Sequence, residues 1–399
     1  MITSRPVSRY HPFSDAVFED PYPIYREMRD ETPLLYLEEF DCWFVSRFAD
    51  VWALEQDQRK LTSKQGTTST HLVTKQTPTS PNLSCLDAPQ HGRVRSFFNP
   101  PFKPGAVAAM EPRVRELARE ALARVAERGE ACAVELGGYV STRVVCTLLG
   151  LPLEDADKIG SWVNTYFDRE PGTRGSTPRG VEAAKELAMY LFRTSKEARS
   201  RGAPEGSVLH KLHTTELAGE RCDDMAVAVH LNMLVIGGTE TFPKVFSATI
   251  ARLAADSDAR RACVGDPALA VDAFDETLRI DMPTQMLGRS VAEDFEMHGH
   301  TLRAGSGLLF LWGSANRDER EFDEPDRFVL KRRPPRILSF GHGQHRCLGA
   351  HVAKLEGRVF LDELLRAMPD YEVDTAGIER LRSEFFRGFA RLPIRFEPF

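Results

Sequence analysis

The sequence predicts a mainly α-helical protein with a small, largely separate β region, an α+β arrangement, and three observations carry that expectation. Apolar residues recur at spacings of three and four through most of the chain. Strand-forming runs cluster in only two places. No Gly/Ser linker, repeat or low-complexity block divides the 399 residues, so a single domain over 1–399 is expected, although length alone would permit two.

In chain order, helical periodicity first covers 22–28, and Trp43-Phe44-Val45 reads as a short strand. The stretch 63–90 has no periodicity and is either a cover over a site or a surface insertion. Val107, Met110, Val114, Leu117, Ala121 and Val125 then mark one amphipathic surface helix over 106–127. Further helical patterns cover 140–149 and 181–198, separated by a second irregular stretch at 169–179. Asp223-Asp224 can cap a helix that is apolar on nearly every face over 225–236, broken by His230 and Asn232. That run is too short and interrupted to cross a membrane and reads as a helix through the core. A helix over 268–280 follows, then strands within 291–312 around a turn at Gly299, and a final helix over 350–367.

Bulk properties narrow the function. Lys plus Arg number 52 against 58 Asp plus Glu, a net charge of -6, which disfavours a nucleic-acid binder that works by neutralising phosphates. Residues 1–15 contain Arg5, Pro6, Arg9 and Pro12 and no apolar run, so neither a signal peptide nor a membrane anchor is expected and the chain reads as cytoplasmic. Seven scattered cysteines (Cys42, Cys85, Cys132, Cys146, Cys222, Cys263, Cys347) include no Cys-x-x-Cys pair, which fits reduced thiols rather than a disulfide framework or a four-cysteine zinc site.

One cysteine has special company. Phe340-Gly341-His342-Gly343-Gln344-His345-Arg346-Cys347-Leu348-Gly349 precedes a helical run, so a glycine-rich loop delivers Cys347 to a helix N-terminus. There the helix dipole and unpaired N–H groups favour a thiolate. A thiolate suits a haem iron as axial ligand, and glycines let backbone approach a flat macrocycle. A buried structural cysteine, or a zinc site of His342, His345, Cys347 and His351, stays open on these residues alone.

A second motif lies upstream, where the core helix meets Gly237-Gly238-Thr239-Glu240-Thr241-Phe242-Pro243. Pro243 cannot donate to the carbonyl of Thr239, so the helix should kink there and line a groove with a carbonyl, a carboxylate and a hydroxyl. Such groups can hold water and pass protons. A strained helix with internally satisfied polar groups is the plainer alternative.

Phe340, Gly343, His345, Cys347 and Gly349 resemble the haem-binding loop of the cytochrome P450 family, in its soluble bacterial type. Glu240 and Thr241 fall on that family's acid-alcohol pair, with Phe242 where a second threonine is common. Glu276 and Arg279 match its Glu-x-x-Arg motif, and Asn316-Arg317-Asp318, Phe322, Pro325-Asp326-Arg327-Phe328 and Asp20-Pro21-Tyr22-Pro23 resemble further family segments, so the likeness spans nearly the whole chain.

The resemblance implies a cytochrome P450 fold with a long central helix over haem b (iron protoporphyrin IX), with Cys347 on the iron. It places His91, Arg95, Arg289 and His345 at the propionates, Phe340, Gly341 and Gly349 around the macrocycle, and Glu240 and Thr241 in proton delivery. Glu276 and Arg279 become a buried structural pair. Met233, Ile236, Gly237, Thr284, Gln285 and Phe389 are expected around the substrate.

The implied activity is mono-oxygenation: hydroxylation or epoxidation by O2 of a hydrophobic small molecule, of terpenoid, steroid, fatty acyl or aromatic type. Electrons would come from a separate ferredoxin with its reductase, because the chain has no nucleotide-binding glycine fingerprint or spare cysteine cluster. Arg93, Arg332, Arg333, Arg346 and Lys354 are candidates for its docking patch. A monomer without nucleic-acid or membrane partners is implied. A peroxide-driven or rearranging haem-thiolate enzyme, or a non-catalytic haem-binding protein, are the rival readings.

Overall fold

The computed structural model describes residues 9–78, 80–170 and 175–399. Thr79 and residues 171–174, which belong to the two irregular stretches, and residues 1–8 of the N-terminal segment lie outside the described residues. Helices dominate, as the periodicity predicts. The helix expected over 106–127 is instead two, Pro104–Ala108 and Glu111–Ala123, because Pro112 belongs in a first helical turn, where its missing N–H costs nothing. The stretch 63–90 contains a short helix, Ser69–Thr74, capped by the Thr68 hydroxyl.

The central helix is the main departure in length. Asp223 caps its start, accepting from the Ala226 N–H at 2.8 Å. Asp224–Thr239 then passes through a break at Glu240 into Thr241–Ala255. Pro243 falls in the first turn of that second piece, so it bends the path rather than ending it. The 32 residues Asp224–Ala255 are long and apolar enough, by length and composition, to cross a membrane, contrary to the shorter run read from the sequence. Here they form a core helix, with Phe246 and Ile250 fully buried.

Two glycines set how closely the helix Ala133–Leu149 crosses the central one. A Cβ on Gly137 would lie 2.9 Å from the Pro243 Cα, and one on Gly238 would lie 2.5 Å from the Val145 Cγ2. Ser141, between them in sequence, donates its hydroxyl to the Thr239 carbonyl at 3.3 Å, the carbonyl that Pro243 leaves free. The expected kink is therefore present, with a helix-helix hydrogen bond in the gap.

The β region is larger than the sequence suggests. Its main sheet has five strands in the order Leu34–Leu37, Cys42–Val45, Gly307–Leu311, Met286–Val291 and Leu61–Thr62, with only the second and third parallel. Gly299 does make the expected turn between Phe295–Met297 and His300–Leu302. The strand Met286–Val291 is buried almost throughout and has no clean alternation, which is why a period-two reading misses it.

Two apolar cores flank the central helix. One packs Phe246 on Phe360 at 4.3 Å, joining Thr241–Ala255 to the final helix Ala350–Ala367. The other gathers Val145, Ile159, Leu191 and Leu231 from Ala133–Leu149, Ala156–Tyr166, Pro178–Arg201 and Asp224–Thr239.

Candidate active site

The cysteine loop is built on backbone that only glycine takes easily. Gly341 and Gly343 have φ of 64° and 69°, and a Cβ on Gly343 would meet the Glu55 carbonyl oxygen at 2.6 Å. The Cys347 N–H donates to the Phe340 carbonyl at 2.7 Å, closing the loop before Gly349 leads into Ala350–Ala367. A Gly349 N–H on the sulfur, Arg95 and Arg346 all favour a thiolate, but burial outweighs them and raises the thiol pKa.

Cys347 nonetheless has exposed surface, and so does Gly237, midway along the central helix, where a Cβ would find nothing within 4 Å. A group can be surrounded by protein and still accessible only where it borders an internal hollow.

Basic side chains gather near that thiol. His91 and His345 lie ring to ring at 4.2 Å, and the buried Nε2 of His91 has no hydrogen-bond partner among the described residues. Burial first, then neighbouring arginines, push His91 down to about 4, and burial with Arg289, His91 and Arg95 pushes His345 down to about 2. Arg289 is buried and donates to the Gly288 carbonyl at 2.7 Å, while Arg95 donates to the Asn99 Oδ1 at 3.1 Å. Burial lowers both guanidinium pKa values, and among the described residues neither makes a salt bridge. Glu55 and Asp87 lie near enough to oppose the effect of burial on Arg289, but a buried guanidinium without a direct salt bridge remains costly. The donor set thus fits a group carrying two carboxylates beside an iron that takes a thiolate, which describes haem.

On the central helix the Thr241 hydroxyl donates to the Gly237 carbonyl at 3.3 Å. Glu240 is buried, and its carboxylate is bound by Lys244, whose Nζ also donates to the Glu240 carbonyl at 3.0 Å. Burial raises the Glu240 pKa, Lys244 opposes this and Asp168 adds to it. Lys244 was not singled out from the sequence, though a lysine one turn after an acid in an otherwise apolar helix is a legible sign. Phe242 is core, packed on Phe246 at 5.6 Å and Phe274 at 6.0 Å.

Glu276 and Arg279 form a fully buried bidentate pair at 2.7 and 2.9 Å, and Arg279 also donates to the Asn316 and Pro325 carbonyls. Arg332 belongs to the same network, 2.9 Å from Glu276, with its side chain 11% exposed. It is therefore not free to dock a partner, contrary to expectation. Arg333 pairs with Asp272 and Lys354 with Asp275. Arg346 is exposed and, among the described residues, makes no salt bridge. It lines a groove of about 370 Å³ with Trp52, Arg336, His342 and Lys354.

The expected substrate walls divide. Met233 and Ile236 are partly buried against the second core, and Thr284 bridges to Phe386. Gln285 does not join them: its Nε2 donates to the Met282 carbonyl at 2.6 Å, its Oε1 lies over Gly313, and it borders a small cavity with Val17 and Tyr25. Phe389 packs in the first core with Leu392 and Ile394, whereas Met233 packs against the second. Phe385 and Phe386 lie in the second core against Phe167, stacked at 5.9 Å and edge-on at 4.6 Å respectively. Beside them a buried ion pair, Arg169 to Glu384 at 3.3 Å, with the Ser69 hydroxyl donating to Glu384 at 3.1 Å, ties both irregular stretches to the C-terminal segment.

The family profile described as cytochrome P450 matches residues 269–393. A putative cytochrome P450 123 of Mycobacterium tuberculosis is 35% identical over 386 residues, covering 96% of each chain. A vitamin D(3) 25-hydroxylase of Pseudonocardia autotrophica is 30% identical, covering 100% of this chain and 99% of its own. Among solved structures, CYP109E1 from Bacillus megaterium in complex with testosterone has a TM-score of 0.84 at 27% identity, covering 96% of this chain and 99% of its own.

Proposed function

The chain belongs to the cytochrome P450 family, and we propose that it is a mono-oxygenase that hydroxylates or epoxidises a hydrophobic small molecule at a haem b held by Cys347. The observation that carries this reading is the gathering of His91, Arg95, Arg289 and His345, buried or partly buried and, for both arginines, without a salt bridge among the described residues, near an accessible thiol. When bound, haem supplies the reductive activation of O2.

The protein's own residues supply the rest. Cys347 donates its thiolate to the iron, and the positive ends of Arg95 and Arg289 with the imidazoles receive the propionates. Phe340, Gly341 and Gly349 give the macrocycle flat, close walls. Thr241 holds a proton on its hydroxyl, and Glu240 moves one between solvent and the groove once its carboxylate leaves Lys244. Met233, Ile236, Gly237 and Thr284, with Phe167, Phe385 and Phe386, exclude water and orient the substrate. Electrons arrive from a ferredoxin-type donor that docks over Arg346 and Trp52.

The vitamin D(3) 25-hydroxylase and CYP109E1 with testosterone support a steroid-like substrate, and P450BioI with a hexadec-9Z-enoic acid ligated acyl carrier protein keeps a fatty acyl one in the screen. The test is optical. The reduced, carbon-monoxide-bound protein should show a strongly red-shifted Soret band, and a colourless preparation would overturn the proposal. A screen of steroids, terpenoids, fatty acids and aromatics for a low-spin to high-spin shift then identifies the substrate class.

A further inference from the structure

The helix Phe48–Leu54 ends on a residue with no part in the site described so far. Glu55 is buried, 7% exposed, at a position where its neighbours on that helix, Val51 and Leu54, are apolar core. Its Oε1 accepts from the Trp312 indole N–H at 3.1 Å and its carboxyl also accepts from the His342 N–H, while Oε2 has no partner among the described residues. Its backbone carbonyl lies where Gly343 must be glycine. One turn earlier, the Trp52 ring stacks on the His342 ring at 3.6 Å and 17°. Two side chains of one helix therefore grip the residues that lead into Cys347.

We propose that Glu55 is a positioning residue for the cysteine loop and that its charge sets the ease with which the bound haem iron is reduced. This rests on the haem-thiolate reading above. A carboxylate held against the loop opposes the arrival of an electron at the iron, whereas the neutral acid does not. Reduction brings one electron from the donor to the iron(III), and within the titration window one proton from solvent to Glu55.

The groups facing Glu55 are few. Arg289 reaches it from the strand Met286–Val291, and His342 from the loop, with Arg336 and Arg346 around that imidazole. Burial pushes Glu55 up to about 8, Arg289 opposing, so its charge changes near neutral pH. Burial, with Arg346 and Arg336, lowers the His342 pKa, the opposite direction to Glu55.

The experiment is a spectroelectrochemical titration of the full haem-loaded protein from pH 6 to 10, roughly two units either side of that value. The midpoint potential should fall as pH rises through the window and level off at both ends. Glu55→Gln keeps both acceptor contacts and should hold the potential near the acid-limb value of the unmodified protein, with no fall. His342→Ala removes the imidazole but keeps the N–H that Glu55 accepts, so the fall should persist. A flat titration of the unmodified protein, an unchanged fall in Glu55→Gln, or a lost fall in His342→Ala overturns the proposal while leaving thiolate-ligated haem in place. A preparation without the red-shifted carbon monoxide band overturns both readings.

Discussion

Thr241 and Lys244 stand on adjacent turns of one helix and predict opposite failures. Thr241→Ala removes a hydroxyl whose hydrogen bond among the described residues is to the Gly237 carbonyl of its own helix, so the fold should survive. Reducing equivalents should then be consumed several-fold faster than product forms, measured as the ratio of donor oxidised to product; tight coupling would remove Thr241 from proton delivery. Lys244→Met instead leaves the Glu240 carboxylate buried and unpaired, which costs about 3–5 kcal/mol. Urea unfolding should show that loss, and Glu240→Gln on top of it should recover much of it.

Glu356 gives the pH-dependent case. It is buried with one oxygen unpartnered, and burial alone raises it to about 8. A carboxyl whose folded pKa lies above its unfolded one stabilises the fold below the unfolded value, and that contribution is lost as pH climbs toward the folded value. Melting temperature should therefore fall between about pH 5 and pH 8, and Glu356→Gln should flatten the decline. At this scale the sequence was informative where chemistry recurs in a fixed order, as at Cys347, Glu240 and Thr241. It was silent on Glu55 and Glu356, since no local pattern distinguishes a buried acid from an exposed one.

Helices were legible and their boundaries less so. The period of apolar residues marks a face whether or not the helix pauses, so Pro112 divided what read as one element, and Glu240 marks a break inside a longer one. The strand Met286–Val291 escaped because its sides are both covered, which erases alternation. Phe389 was misplaced for a related reason: register decides which core a strand residue enters, and register is long-range.

The crossing of Ala133–Leu149 with Asp224–Thr239 supplies a test of packing. Gly238→Ala would set a methyl 2.5 Å from Val145, and overpacking of this kind costs about 1–3 kcal/mol. Chemical denaturation should register it, and Val145→Ala in the same chain should relieve part of the loss. An additive pair would mean the two side chains do not meet.

Across the whole chain, charge at the cysteine-loop face was legible as a cluster but not as a set of partners. Arg332, Arg333 and Lys354 are neutralised by Glu276, Asp272 and Asp275, which lie on one helix some sixty to eighty residues earlier, a pairing that no short-range reading reveals. Arg346 alone among those on the cysteine loop stays exposed and without a salt bridge among the described residues. Arg346→Glu should slow reduction by the donor about tenfold or more at low salt and converge on the parent rate as salt rises, in stopped-flow traces. Equal rates at low salt would move the docking surface elsewhere.

Gly137 and Gly238 carry one more consequence. Because a single methyl on either collides with the helix opposite, that wall can neither retreat nor advance through a series of small substitutions. A change of shape is then left to the other side, around Phe167, Phe385 and Phe386 and the segments joined by Arg169 and Glu384.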